Sequence, residues 1–96
     1  MNDDPITRLK QYVASLGDRG ITASWTANSL GEKPSAFMDI QSPTAIGRIT
    51  AWASNEWDFE TISIDSELTT FSVYLNNPHG EELAVTLKAW ESSLLI

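Results

Sequence analysis

Asp58 and Glu60 stand two residues apart in a strongly alternating run, a spacing that puts both carboxylates on one face of a strand. Such a pair can share acid–base work when burial or mutual repulsion raises one pKa. Arg48 belongs to the same run and would lower it instead, so a solvated acidic face is the better reading. His79 is the only histidine, set between Pro78 and Gly80 at a helix start, a place for a loop residue rather than a base. The chain has no cysteine, hence no thiol nucleophile, no disulfide and no thiolate zinc site. A G-x-S-x-G elbow, a glycine-rich phosphate loop and an H-E-x-x-H helix are all missing. No cofactor and no metal are expected, and the chain reads as a non-enzyme. Recognition chemistry remains. Trp52 alternates onto the face of Arg48, Thr50, Asp58 and Glu60, where it either rests on aliphatic stems or anchors a partner. Among so many charges it reads as the anchor.

These residues must be positioned by a β-hairpin spanning Gly47–Glu60. A two-residue loop at Ser54-Asn55 would oppose Ala51 to Asp58 and mix the apolar and charged sets. A three-residue loop, Ala53-Ser54-Asn55, opposes Trp52 to Glu56, Ala51 to Trp57, Ile49 to Phe59 and Arg48 to Glu60. The last pair is an expected cross-strand ion pair. Asn55 then takes the left-handed position that such loops place last.

Around the hairpin, Asp4 caps a helix with Pro5 at its first position, and Asp3 and Asp4 face its positive end. Ile6, Leu9, Val13 and Leu16 recur at helical spacing, with Tyr12 beside them, and Gly17 is expected to end the helix. Residues 21–26 alternate as a strand and residues 27–34 are turn material. A second strand, 35–41, turns Ala36, Met38 and Ile40 inward and Phe37, Asp39 and Gln41 outward. Beyond Thr61, Ile62 and Ile64 fall on the outer set, which requires either a bulge that switches faces or a second apolar patch. A last strand, Thr69–Leu75, points Tyr74 outward. Leu83, Leu87, Trp90 and Leu94 then trace the stripe of a C-terminal helix, with Glu81 and Glu82 in its first turn. Trp25, Trp57 and Trp90 lie on apolar stripes and are expected in the core.

The predicted fold class is α+β: a two-layer sandwich in which an antiparallel meander of about five strands carries the N- and C-terminal helices on one face. The uncovered face gathers Trp52, Asp58, Glu60 and Arg48. Asp39 and Tyr74 join them where the flanking strands pair as neighbours. Ninety-six residues, taken as a single domain over 1–96, suffice for one core.

Thirteen acids against six bases give a net charge of −7. That charge repels phosphate backbones and anionic bilayers, so neither nucleic acid nor membrane is an expected partner. It attracts a basic protein surface. No apolar run approaches the roughly 18 residues of a membrane span, and the acidic start MNDDPITRLK is unlike a signal peptide. The expected location is the cytoplasm.

At these same residues the chain resembles a known family. Ser42-Pro43, Ile46-Gly47-Arg48-Ile49-Thr50, Trp52, Ser54-Asn55-Glu56, Asp58 and Glu60 follow the pattern of TriTu-type immunity proteins, most clearly over about residues 35–66. Those are small bacterial antitoxins encoded beside ADP-ribosyltransferase toxins that modify elongation factor Tu. Asn55 departs from the pattern, which usually has glycine there, and Leu68–Asn77 matches poorly. The resemblance implies an immunity protein of interbacterial competition, associated with type VI secretion. It would be monomeric until it binds a cognate toxin domain through a basic cleft and blocks it. An acidic effector chaperone or adaptor, or a nucleic-acid mimic, is the alternative. A toxin gene immediately upstream would favour immunity over the adaptor.

Overall fold

Asp4 opens the first helix as expected. In the computed structural model, which describes residues 4–28 and 33–94, its carboxylate accepts from the Thr7 backbone N–H at 2.8 Å and from the Thr7 hydroxyl at 3.0 Å. These bonds hold Asp4 below the ordinary carboxylate range. Asp3 and positions 29–32 of the expected turn lie outside the described residues. Helix α1 spans Pro5–Asp18 and buries Leu9 and Leu16. Gly17 does not end it. The chain leaves the helix at Gly20, whose φ of 78° is left-handed, while Gly20 N–H donates to Gly17 O and Ile21 N–H to Leu16 O. That double closure needs glycine one residue past the cap, and Gly17 sits too early to supply it.

Five strands follow: β1 Ser24–Asn28, β2 Ser35–Gln41, β3 Ala45–Trp52, β4 Glu56–Ser63 and β5 Thr69–Asn76. They form one sheet in the order β1-β2-β3-β4-β5, each strand antiparallel to its neighbours. Helix α2, Gly80–Leu94, ends the fold. Its start holds a detail that the spacing did not suggest: the His79 imidazole Nδ1 accepts from the Glu82 N–H at 3.3 Å, so this histidine caps the helix. Helix α1 lies over β2 and β3, and α2 lies over β3, β4 and β5, all on one face. The architecture is α+β, as the pattern predicted. No helix among the described residues is long and apolar enough to cross a membrane.

The hairpin register agrees with the reading. Ala51 opposes Trp57, Ile49 opposes Phe59 and Arg48 opposes Glu60. Asn55 has a φ of 66°, and its N–H closes the turn on Trp52 O. Two expectations fail at β1. This strand begins at Ser24 and continues through Ala27 and Asn28, which were expected in the turn. Its Trp25 is only half-buried, because an edge strand leaves one flank of each inward side chain uncovered. Trp57 and Trp90 are buried.

Ile62 and Ile64 also find their place. The β3–β4 ladder keeps its alternation to Ser63, so Ile62 stays on the outer face opposite Ile46. The irregularity lies between β4 and β5, where Thr61 opposes Phe71 but Ile62 opposes Thr69, leaving Thr70 as the extra residue. The outer face therefore carries a second apolar patch, with Ile46 and Ile64 exposed.

Helix α2 seats itself on β3 by a close approach. A Cβ at Gly47 would stand 2.8 Å from the Trp90 ring and 3.1 Å from Leu94, so only glycine lets the helix settle there. The fully buried Trp90 donates its indole N–H to the Glu60 carbonyl at 3.0 Å. Beside it, the buried Thr61 hydroxyl bonds that of Ser93 at 2.8 Å. The core thus grips the backbone of the strand whose outer side chains form the site.

Candidate binding face

The uncovered face is ordered in rows across the strands. One row runs Ser24, Asp39, Arg48, Glu60 and Ser72, and the next runs Thr26, Phe37, Thr50, Asp58 and Tyr74. All six residues singled out in the sequence lie on this side of the sheet. Their arrangement differs from expectation in one respect. Arg48 faces Glu60 in register, yet its guanidinium turns to Asp39, donating from Nε at 2.7 Å and from Nη2 at 3.0 Å. The expected Arg48–Glu60 ion pair is not formed.

The reason lies one row away. The Phe37 ring sits beneath the guanidinium, 4.1 Å from its centroid, and favours the β2 side of Arg48. A fork-shaped donor meeting a carboxylate at two points is also geometrically selective. Asp39, with a further attraction from Glu60, raises the Arg48 pKa further, so this cation is permanent. Glu60 and Asp58 are left with carboxylates that accept no hydrogen bond and close no ion pair among the described residues.

A second cluster, centred on Glu56, fills the hairpin end of the face. Its carboxylate accepts from the Ser54 hydroxyl at 2.6 Å and from the Tyr74 phenol at 2.5 Å, and it pairs with Lys33. Lys33 first, then Ser54 and Tyr74, lower the Glu56 pKa to about 2. The same bond raises the Tyr74 phenol above its ordinary value. The Lys33 ammonium also stands 5.8 Å from the centroid of the Trp52 ring. Trp52 is therefore half-exposed on a fixed polar frame. Glu56 and Lys33 are the members that sequence reasoning missed, whereas the strand pattern places Phe37 outward without its part beneath Arg48. The opposition of Trp52 to Glu56 was a usable signal for Glu56, whereas nothing in the spacing brings Lys33 across from before β2.

On the other flank of the Asp39–Arg48–Glu60 row, away from Phe37 and Asp58, those three residues and the pair Ile46 and Ile62 border a shallow depression of about 620 Å³. No group of three or more histidines, aspartates or glutamates among the described residues is placed to hold a metal ion. The groups present can form ion pairs, hydrogen bonds and apolar contacts with a surface laid against them.

Fold and face together are those of a small α+β module, two helices backing a sheet whose other side carries charged, aromatic and apolar side chains. The chain belongs to the TriTu immunity protein family, which it matches over residues 8–92. That span takes in most of both helices as well as the hairpin. No curated protein matches it. Its family role is immunity: it is an antitoxin.

Proposed function

We propose that this immunity protein neutralises an ADP-ribosyltransferase toxin in the cytoplasm by laying its open sheet face over a basic cleft of that toxin. The observation that carries the reading is the pair of uncommitted carboxylates, Asp58 and Glu60, flanked by the half-exposed Trp52. Arg48 spends its hydrogen bonds on Asp39 and attracts Glu60 only through space, so the Glu60 carboxylate oxygens remain free to accept from a partner. Trp52 supplies the rigid apolar area that binding anchors need, and the carboxylates supply orientation and attraction. Inhibition is steric: the face fills the space in which the toxin would hold its dinucleotide, and no bond is made or broken by the antitoxin. It binds as a monomer. Co-expression with the toxin encoded beside it tests the reading. Growth is expected to be restored in proportion to antitoxin level, and continued killing at high antitoxin expression would overturn the proposal.

A further inference from the structure

The sheet ends in two edges of unequal character. β1 is a five-residue strand, whereas β5 runs eight residues, Thr69–Asn76, without one charged side chain or proline. Proteins normally blunt an edge of that length with lysine, proline or a cover, because its free N–H and C=O groups invite another strand. Here the only irregularity is at Thr70, leaving Phe71–Asn76 regular. On the helix side Phe71, Val73 and Leu75 are half-buried, each with a flank that a further strand would cover. On the outer side the edge offers Ser72, Tyr74 and Asn76.

Immediately behind this edge stand the acids of β4. Glu60 is opposite Ser72 and Asp58 is opposite Tyr74. Ser72 is short, so a side chain on an added strand sees Glu60 across it. Two strand spacings amount to roughly 10 Å, which a lysine or arginine and a glutamate span together. The same acids disfavour pairing of β5 with a second copy of this chain, since two −7 molecules would bring their acidic rows side by side.

We propose that β5 is a docking edge that pairs with an extended segment of the toxin. That segment alternates apolar residues, packed beside Phe71, Val73 and Leu75, with a basic residue directed over Ser72 to Glu60. Main-chain hydrogen bonds supply affinity in this mode, and the alternate side chains supply selectivity. The proposal rests on the toxin-binding reading above and adds the sheet edge to it, with Glu60 shared between edge and face.

Proline substitutions separate the two. Adjacent residues of an edge strand point their N–H groups to opposite sides, so one of Ser72→Pro and Val73→Pro breaks the β4–β5 ladder and the other removes only an outward donor. Melting curves identify the tolerated variant. Its affinity for the cognate toxin domain is expected to fall on the order of tenfold or more, the equivalent of a lost hydrogen bond and adjoining contacts. Hydrogen exchange of the wild-type complex is expected to show new protection of amides within 71–76. Unchanged affinity of the folded proline variant, with protection confined to 46–60, would overturn the docking edge while leaving the open-face reading standing. Absence of any complex would remove both.

Discussion

Trp52 and Asp58 are the side chains through which the open face can be tested most directly. Truncating Trp52→Ala should cost about 2 kcal/mol or more of toxin affinity if it is a binding anchor. Asp58→Arg should cost a similar amount, because it sets like charges face to face across a basic interface. Glu82→Arg, on α2 and away from the sheet face, is the control and should bind as the parent does. Calorimetric titration with a melting curve for each variant gives the answer, and tight binding by folded Trp52→Ala and Asp58→Arg would exclude the face. Glu56 carries a separate prediction. Its folded pKa lies near 2 against an ordinary value of 4.5, so the unfolded chain takes up its proton first as pH falls. Whatever stability the Lys33–Glu56–Tyr74 cluster adds is complete above about pH 4.5 and is lost as pH drops toward 2. Melting temperatures across that window should fall less steeply for Glu56→Gln than for the parent, although solvent exposure of the cluster keeps the difference small.

At the level of elements, the hairpin turn and the α2 seat make the clearest demands. Asn55 does more than accept a left-handed φ. Its Oδ1 accepts from the Trp57 indole N–H at 2.9 Å, and its Nδ2 donates to Asn77 at 3.0 Å. Asn55→Gly, the residue usual in the family pattern, should therefore keep the turn yet lower stability by about 1–3 kcal/mol by orphaning a buried donor. Gly47→Ala should cost about 1–3 kcal/mol by overpacking against Trp90, measured by denaturant unfolding. These two sites also mark the boundary of what alternation could disclose. Period-2 spacing was enough for the register of β3 on β4, because a one-residue slip would have buried Asp58 and exposed Trp57. It could not choose between Asp39 and Glu60 for Arg48, since both flank it in the same row and the deciding Phe37 ring lies in the next. Nor could it assign the helix stop: Gly17 and Gly20 are both glycine, and only the hydrogen bonds to Leu16 and Gly17 separate them. The six candidate face residues were legible for the same reason as the register, but Lys33 was not, because it arrives through tertiary proximity and not through a strand pattern.

For the whole molecule, charge governs encounter. With a net charge of −7, association with a basic toxin should be fast at low salt and slow steeply as salt rises, while the dissociation rate changes little. Stopped-flow rates over a salt series measure this, and a salt-independent association rate would count against electrostatic steering. The chain-order sheet has another consequence, in time rather than space. Every strand pairs with its neighbour in sequence, so loop closures are short and β-hairpins can form in roughly 1–10 μs. The first helix is different. Its Tyr12 phenol donates to Glu91 at 2.8 Å, a partner 79 residues later. On a ribosome adding about 5–20 residues per second, the meander can zip together strand by strand, while this clasp between the first helix and the last must wait several seconds for Glu91 to be made. The first helix is clasped only after the last one has been made.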